Sequence, residues 1–178
     1  MTVEYVLPTP EPVAAATYDL ALDHSRPRLR IGLLANGFPD GEAFLTRLSD
    51  ALSELVPGAD FRLATKGRTD QLSACVQEPL LSAMAADCDG VIIAWGHCGS
   101  CTSGVTRDGI AFAKCGIPSV ALICDIFWDY SLWLDGALGM EDLPKVRIPY
   151  PVAGTGEGNH RAIARRIAPE ILARFARH

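Results

Sequence analysis

Two of the six cysteines in this 178-residue chain, Cys98 and Cys101, stand close together in the run Trp95-Gly96-His97-Cys98-Gly99-Ser100-Cys101-Thr102. Two thiols at that spacing suit dithiol chemistry, in which one sulfur attacks an electrophile and the second closes a disulfide on the first. The attacking sulfur must then be a thiolate near neutral pH. The run follows Gly90-Val91-Ile92-Ile93-Ala94, an apolar, β-branched block that reads as a buried strand, and it precedes a segment that reads as a helix. A first helical turn has unpartnered N–H groups and the positive end of the macrodipole. Such a place can bring a cysteine pKa from about 8.5 down to roughly 3.5 to 7.5. Cys98, nearer the turn, is the expected nucleophile, and Cys101 the resolving thiol.

Other residues of the run have more than one use. His97 titrates near neutrality beside the nucleophile and can serve as proton donor to a leaving group. Ser100 and Thr102 either cap the helix or offer hydroxyls to a substrate. The cysteine pair could also be structural, or half of a zinc site with His97 and Cys124, although one C-x-x-C without a second pair is a weak zinc pattern and no metal is expected.

Positioning these groups requires a scaffold, and the apolar pattern supplies one. Strands are predicted at Leu29 to Ala35, Asp60 to Thr65, Asp89 to Trp95, Ser119 to Cys124 and Lys145 to Ile148. Helices are predicted at Glu42 to Leu55, Leu72 to Ala86, from the cysteine pair to Cys115, Phe127 to Leu138 and Asn159 to Ala176. The alternation means an α/β fold: a flavodoxin-like, doubly wound parallel sheet of four to five strands with helices on both faces. Residues 1–28, with four prolines, read as an extended arm, and 29–178 as a single α/β domain. In such folds the ligand crevice lies outside the carboxyl ends of the strands. Asn36, Lys66, Cys98 and Asp125 all fall at such ends, so Asn36, Lys66 and Asp125 join Ser100 and Thr102 as candidate substrate-binding residues.

Composition narrows the partners. The net charge is −5 and the C-terminal arginines sit on a face that is ordinarily solvated, so no nucleic-acid partner is expected. No stretch reaches bilayer length and the N-terminus lacks a basic-then-apolar leader, so no membrane association and a cytoplasmic location are expected. There, Cys75, Cys88 and Cys115 are most simply small buried residues. Gly154-Thr155-Gly156-Glu157-Gly158 lacks the ending of a phosphate loop, and no cofactor is expected. The aromatic stretch from Ile126 to Leu134 suits a core helix, the wall of an apolar substrate pocket, or a contact with a second copy or a partner subunit.

Several separated motifs together resemble a known family. Gly96-His97-Cys98-Gly99-Ser100-Cys101-Thr102-Ser103, Cys115-Gly116-Ile117-Pro118, Leu143-Pro144 and Ile148-Pro149-Tyr150-Pro151 look like the UGSC family of proteins and selenoproteins, over about residues 30 to 155. Ile31 to Asp40 is similar to that family's first strand and loop, with Phe38 where a lysine is expected. The resemblance implies thiol-based redox chemistry with Cys98 in the selenocysteine position. More distantly, the strand, redox turn and Gly-Ile-Pro strand look like the selenocysteine subunit of glycine and proline reductases.

The expected function is a thiol-dependent redox enzyme acting on a small molecule, by reductive cleavage of a carbon–heteroatom bond or reduction of a sulfur or nitrogen oxide. It would need an external thiol or dithiol reductant. Two alternatives stay open: a cofactor-independent racemase or lyase using cysteine as acid and base, and a non-catalytic sulfur carrier or accessory subunit.

Overall fold

The computed structural model describes residues 16–23, 25–67 and 72–176. The elements run β1 (Ala16–Thr17), β2 (Arg30–Ala35), α1 (Gly41–Leu55), β3 (Asp60–Thr65), α2 (Glu78–Asp87), β4 (Gly90–Gly96) and α3 (Gly99–Lys114). They continue through β5 (Ser119–Cys124), one 3-10 turn (Asp125–Phe127), α4 (Trp128–Ala137), β6 (Met140–Glu141), β7 (Lys145–Ile148) and α5 (Glu157–Phe175). Five strands form one sheet in the order β3-β2-β4-β5-β7, each pair parallel. Taken in chain order that is 2-1-3-4-5, the flavodoxin-like winding. β1 and β6 form a separate two-stranded parallel ladder.

The middle strands explain the sheet. Every residue of β4 and of β5 is buried, as strands covered on both faces require. Their side chains alternate between two cores. Ile92, Ala94, Val120 and Leu122 meet Phe44 and Leu48 of α1 and Ile163 and Ile167 of α5, whereas Val91, Ile93, Ala121 and Ile123 meet Met84 of α2 and Val105 and Phe112 of α3. The outer strands β3 and β7 each have side chains open to solvent, as edges do.

Two glycines permit close approaches that fix α3. A Cβ at Gly96 would meet Ile123 Cδ1 at 2.8 Å and Thr102 Oγ1 at 2.9 Å, and one at Gly104 would meet the Leu72 carbonyl oxygen at 1.9 Å. The helix therefore lies tight against the end of β4 and against the backbone at residues 72–73.

Two departures from the pattern have local causes. The second helix begins at Glu78 instead of Leu72, because Pro79 sits in the first turn, where its missing N–H is no loss. Residues 72–77 are turn and loop. The terminal helix starts at Glu157, two residues early, and contains Pro169. Of the expected arm, residues 1–15 lie outside the described residues, and Ala16–Thr17 form β1. Beyond β1 the arm is tied down: the Ser119 N–H donates to the Tyr18 hydroxyl at 2.8 Å. Among the described residues no helix is long and apolar enough to cross a membrane.

Candidate active site

The strand order reverses between β2 and β4, and that switch point is where an open parallel sheet leaves a crevice beyond the carboxyl ends of its strands. Asn36 closes its floor. Fully buried, it donates from Nδ2 to the Trp95 carbonyl at 3.1 Å, which ties the ends of β2 and β4 together, and accepts at Oδ1 from the Phe38 N–H at 3.2 Å, which shapes its own loop.

Beside it β4 ends and α3 begins, with Cys98 as the N-cap in extended conformation. Its sulfur takes the place usually held by a serine or aspartate oxygen and accepts the Cys101 N–H at 3.2 Å. Its carbonyl receives the Thr102 hydroxyl at 2.8 Å, which makes Thr102 a buried brace for the turn. The Ser100 hydroxyl lies 3.2 Å from the Cys98 sulfur. Cys98 and Cys101 are joined as a disulfide, with their Cα atoms 5.1 Å apart. The two cysteines are not equivalent in exposure: Cys101 is 0% exposed, whereas Cys98 is partly exposed.

His97 lies within the same turn but faces the other loops. Its Nε2 accepts the N–H groups of Val152 and Ala153, each at 3.2 Å. Two donors on one ring nitrogen fix the proton on Nδ1, and burial holds the imidazole below its ordinary pKa, so the ring is neutral. Nδ1 is then the position from which it could give up a proton. The ring stacks on Phe38 at 4.8 Å and lies 5.0 Å from Tyr150, which in turn meets Phe127 edge-on at 6.3 Å. A chain of ring contacts thus runs from the β2 loop to the β5 end. Asp40 adds a polar tie, accepting the Gly154 N–H at 2.7 Å.

Lys66 and Asp125 stand at strand ends, yet both are engaged elsewhere. Lys66 Nζ pairs with the fully buried Asp108 of α3 at 2.8 Å and donates to the Ala74 carbonyl at 2.8 Å. Burial pushes the Asp108 carboxyl up from its ordinary pKa, with Lys66 pulling the other way. Lys66 lines a cavity of about 310 Å³ with Ala74, Cys75 and Pro79, and no residue of the cysteine turn lines that cavity. Asp125 is exposed and accepts the Ile126 N–H at 2.8 Å within its own turn. Of the predicted residues, then, Asn36, His97, Cys98, Ser100, Cys101 and Thr102 come together at the switch point. Lys66 bonds to groups on α3 and the 72–77 loop, and Asp125 bonds within its own turn.

The remaining thiols divide. Cys88 and Cys124 are buried, but Cys75 and Cys115 are exposed, contrary to the expectation that both were core residues. Cys115 is the C-cap of α3 and Cys75 lies in the 72–77 loop, neither of which faces a core. Among the described residues no group of three or more His, Cys, Asp or Glu side chains is arranged to hold a metal ion. The tetrad weighed for zinc from sequence is differently engaged: Cys98 bonds Cys101, and His97 Nε2 takes two backbone donors.

The aromatic stretch of α4 has mixed uses. Trp128 carries the Arg147 guanidinium 4.6 Å above its ring and lines a cavity of about 410 Å³ with Asp135, Asp142, Lys145 and Arg174. Leu134 is buried, and Tyr130 and Trp133 are exposed. Sequence reasoning missed Tyr150 and Asp108. Tyr150 had a signal, an aromatic between two prolines directly after a strand. Asp108, the only acid on α3, had none, because its partner Lys66 lies 42 positions away in the chain.

A parallel α/β sheet with a cysteine pair at its switch point describes the class. The chain belongs to the UGSC family, whose model matches residues 4–177. No curated protein sequence matches it. Among solved structures it is similar to an oxidoreductase from Corynebacterium diphtheriae, with 15% identity, a TM-score of 0.45, and coverage of 83% of this chain and 97% of that one. It is also similar to the first ketoreductase of the tylosin PKS, at 16% identity and a TM-score of 0.48, covering 81% of this chain and 34% of that one. A diflavin flavoprotein from Nostoc gives 14% identity and a TM-score of 0.40, covering 79% and 92%. Likeness at this level carries no argument about chemistry.

Proposed function

We propose that this protein is a thiol-dependent redox enzyme that reduces a small molecule with the Cys98–Cys101 dithiol and is reset by an external dithiol. The observation that carries the reading is the disulfide itself, closed between a partly exposed Cys98 at the N-cap of α3 and a buried Cys101 one turn along. In the reduced protein the Cys98 thiolate attacks the electrophilic atom E of a substrate E–L. The S–E bond forms and L leaves with a proton. Cys101 then attacks the Cys98 sulfur, closing S–S and releasing E, which takes the second proton. The sum is dithiol plus E–L giving disulfide plus EH and LH, a two-electron reduction. An external dithiol attacks the Cys98 sulfur and leaves as its own disulfide.

The unequal exposure of the two cysteines supports this division of roles, because an incoming group reaches Cys98 first. It speaks against a racemase of the two-thiol kind. That chemistry needs its thiols on opposite sides of the substrate, and here they share one turn and one bond.

Intact-mass measurement with iodoacetamide at pH 7, before and after dithiothreitol, tests the proposal. With alkylation under denaturing conditions, reduction is expected to add two sites, mapping to Cys98 and Cys101; in the folded reduced protein Cys98 is the fast site, and a Cys98→Ser variant loses both the disulfide and that fast site. Unchanged labelling of those two residues after reduction contradicts it.

A further inference from the structure

We infer that Ser100 is a positioning residue for the thiol chemistry: its hydroxyl donates to the Cys98 thiolate in the reduced protein and holds that sulfur ready to attack. The inference rests on the redox reading above and specifies what activates the nucleophile.

The N-terminal turn of α3 leaves Ser100 little else to do. The capping role is filled by the Cys98 sulfur, which accepts the Cys101 N–H, and Thr102 braces the Cys98 carbonyl. Ser100 is the second residue of the helix, so it is not the cap, and its hydroxyl lies 3.2 Å from the same sulfur. Cys98 Sγ therefore has two donors converging on it, one backbone and one side chain. Either atom of the Ser100 contact could carry the proton while the sulfur is a thiol. Once the sulfur is a thiolate only the hydroxyl can donate, and the bond becomes charge-assisted.

The consequence is directional. A disulfide sulfur is a poor acceptor, so the Ser100 bond is worth little in the oxidised protein and more in the reduced one. Removing it should raise the proton affinity of Cys98 and favour the disulfide over the dithiol. These are effects on one sulfur, and a hydroxyl that served only to stabilise the helix would produce neither.

The test is the pH–rate profile of iodoacetamide alkylation in the reduced full chain, read at Cys98 by peptide mass spectrometry, with exposed Cys115 as internal reference. Ser100→Ala is expected to slow Cys98 at neutral pH by roughly five- to tenfold, the size of one charge-assisted hydrogen bond at a part-open site. Its profile should move to higher pH and meet the wild-type rate on the alkaline plateau. Ser100→Thr, which keeps the hydroxyl, restores the wild-type profile, and equilibration with dithiothreitol shows Ser100→Ala displaced toward the disulfide by a similar factor. Superimposed wild-type and Ser100→Ala profiles around a fast Cys98 overturn the role of Ser100 and leave the redox reading standing. A wild-type Cys98 that reacts no faster than Cys115 overturns both.

Discussion

The cysteines at the end of β4 and those in the interior are chemically the same residue in opposed surroundings. Cys98 sits at a helix N-terminus, partly exposed, with the Cys101 N–H and the Ser100 hydroxyl on its sulfur. Cys124, one strand away and itself at a strand end, is sealed in the core, and burial followed by the nearby Asp125 charge pushes its thiol up to about 12. Cys88, packed under α2, is pushed up to about 11, again chiefly by burial. A thiol's reactivity is therefore assigned by what its sulfur touches. On the proposed reading the turn carries the chemistry and the interior the stability.

The largest expected effect breaks the turn and spares the interior. In a background lacking the exposed Cys75 and Cys115, reduced wild-type protein treated with a small aromatic disulfide should release two thiols and finish as the Cys98–Cys101 disulfide. Cys101→Ser should release one and stop as a mixed disulfide on Cys98. Its cycling with dithiothreitol should fall on the order of a hundredfold or more, because no resolving thiol remains.

Next in size is a change confined to the interior. The buried Lys145 bonds Asp135 and the Ser131 carbonyl, pinning the start of β7 to α4. Lys145→Met leaves a buried carboxylate without its partner and is expected to cost about 3–5 kcal/mol in urea unfolding. The Cys98 alkylation rate of the folded fraction should stay unchanged. A fall in that rate would mean the two regions are not separable.

The smallest effect concerns pH. A buried thiol whose pKa is raised in the folded state keeps its proton where the unfolded chain has lost it. Cys88 and Cys124 therefore take nothing from stability below the ordinary thiol range, and each lowers it as pH rises through that range toward about 11 and about 12. The slope is about 1.4 kcal/mol per pH unit for each thiol. Cys124→Ala should flatten the alkaline limb of a stability-against-pH curve, and a limb as steep as the wild type's would contradict the assignment.

Much of this arrangement is legible in the chain before any coordinates. Continuous apolar runs gave β4 and β5, turn residues ended the elements, and the cysteine pair fell at a strand-to-helix turn because Gly90-Val91-Ile92-Ile93-Ala94 stops there. What escaped was set by distant partners. Lys66 reads as a crevice residue from its place after β3, but Asp108, 42 positions on, competes for its charge. Which nitrogen of His97 carries the proton is likewise set from afar: Val152 and Ala153, more than 50 residues away, turn their N–H groups onto Nε2 and leave the proton to Nδ1. The two-residue ladder of β1 with β6 is too short to leave a periodicity. The exposure of Cys75 and Cys115 depends on which face a loop or helix end presents, which composition does not encode.

The most direct test of the central claim is a race between the two kinds of thiol in one sample. Reduced, natively folded protein is mixed with iodoacetamide at pH 7, quenched over time, and digested to read each cysteine. Cys98 should be modified faster than Cys124 by at least about a hundredfold, the gap expected between a thiolate at a helix N-terminus and a buried neutral thiol. Equal rates at the two residues, or a Cys98 that reacts only after denaturation, would contradict the account.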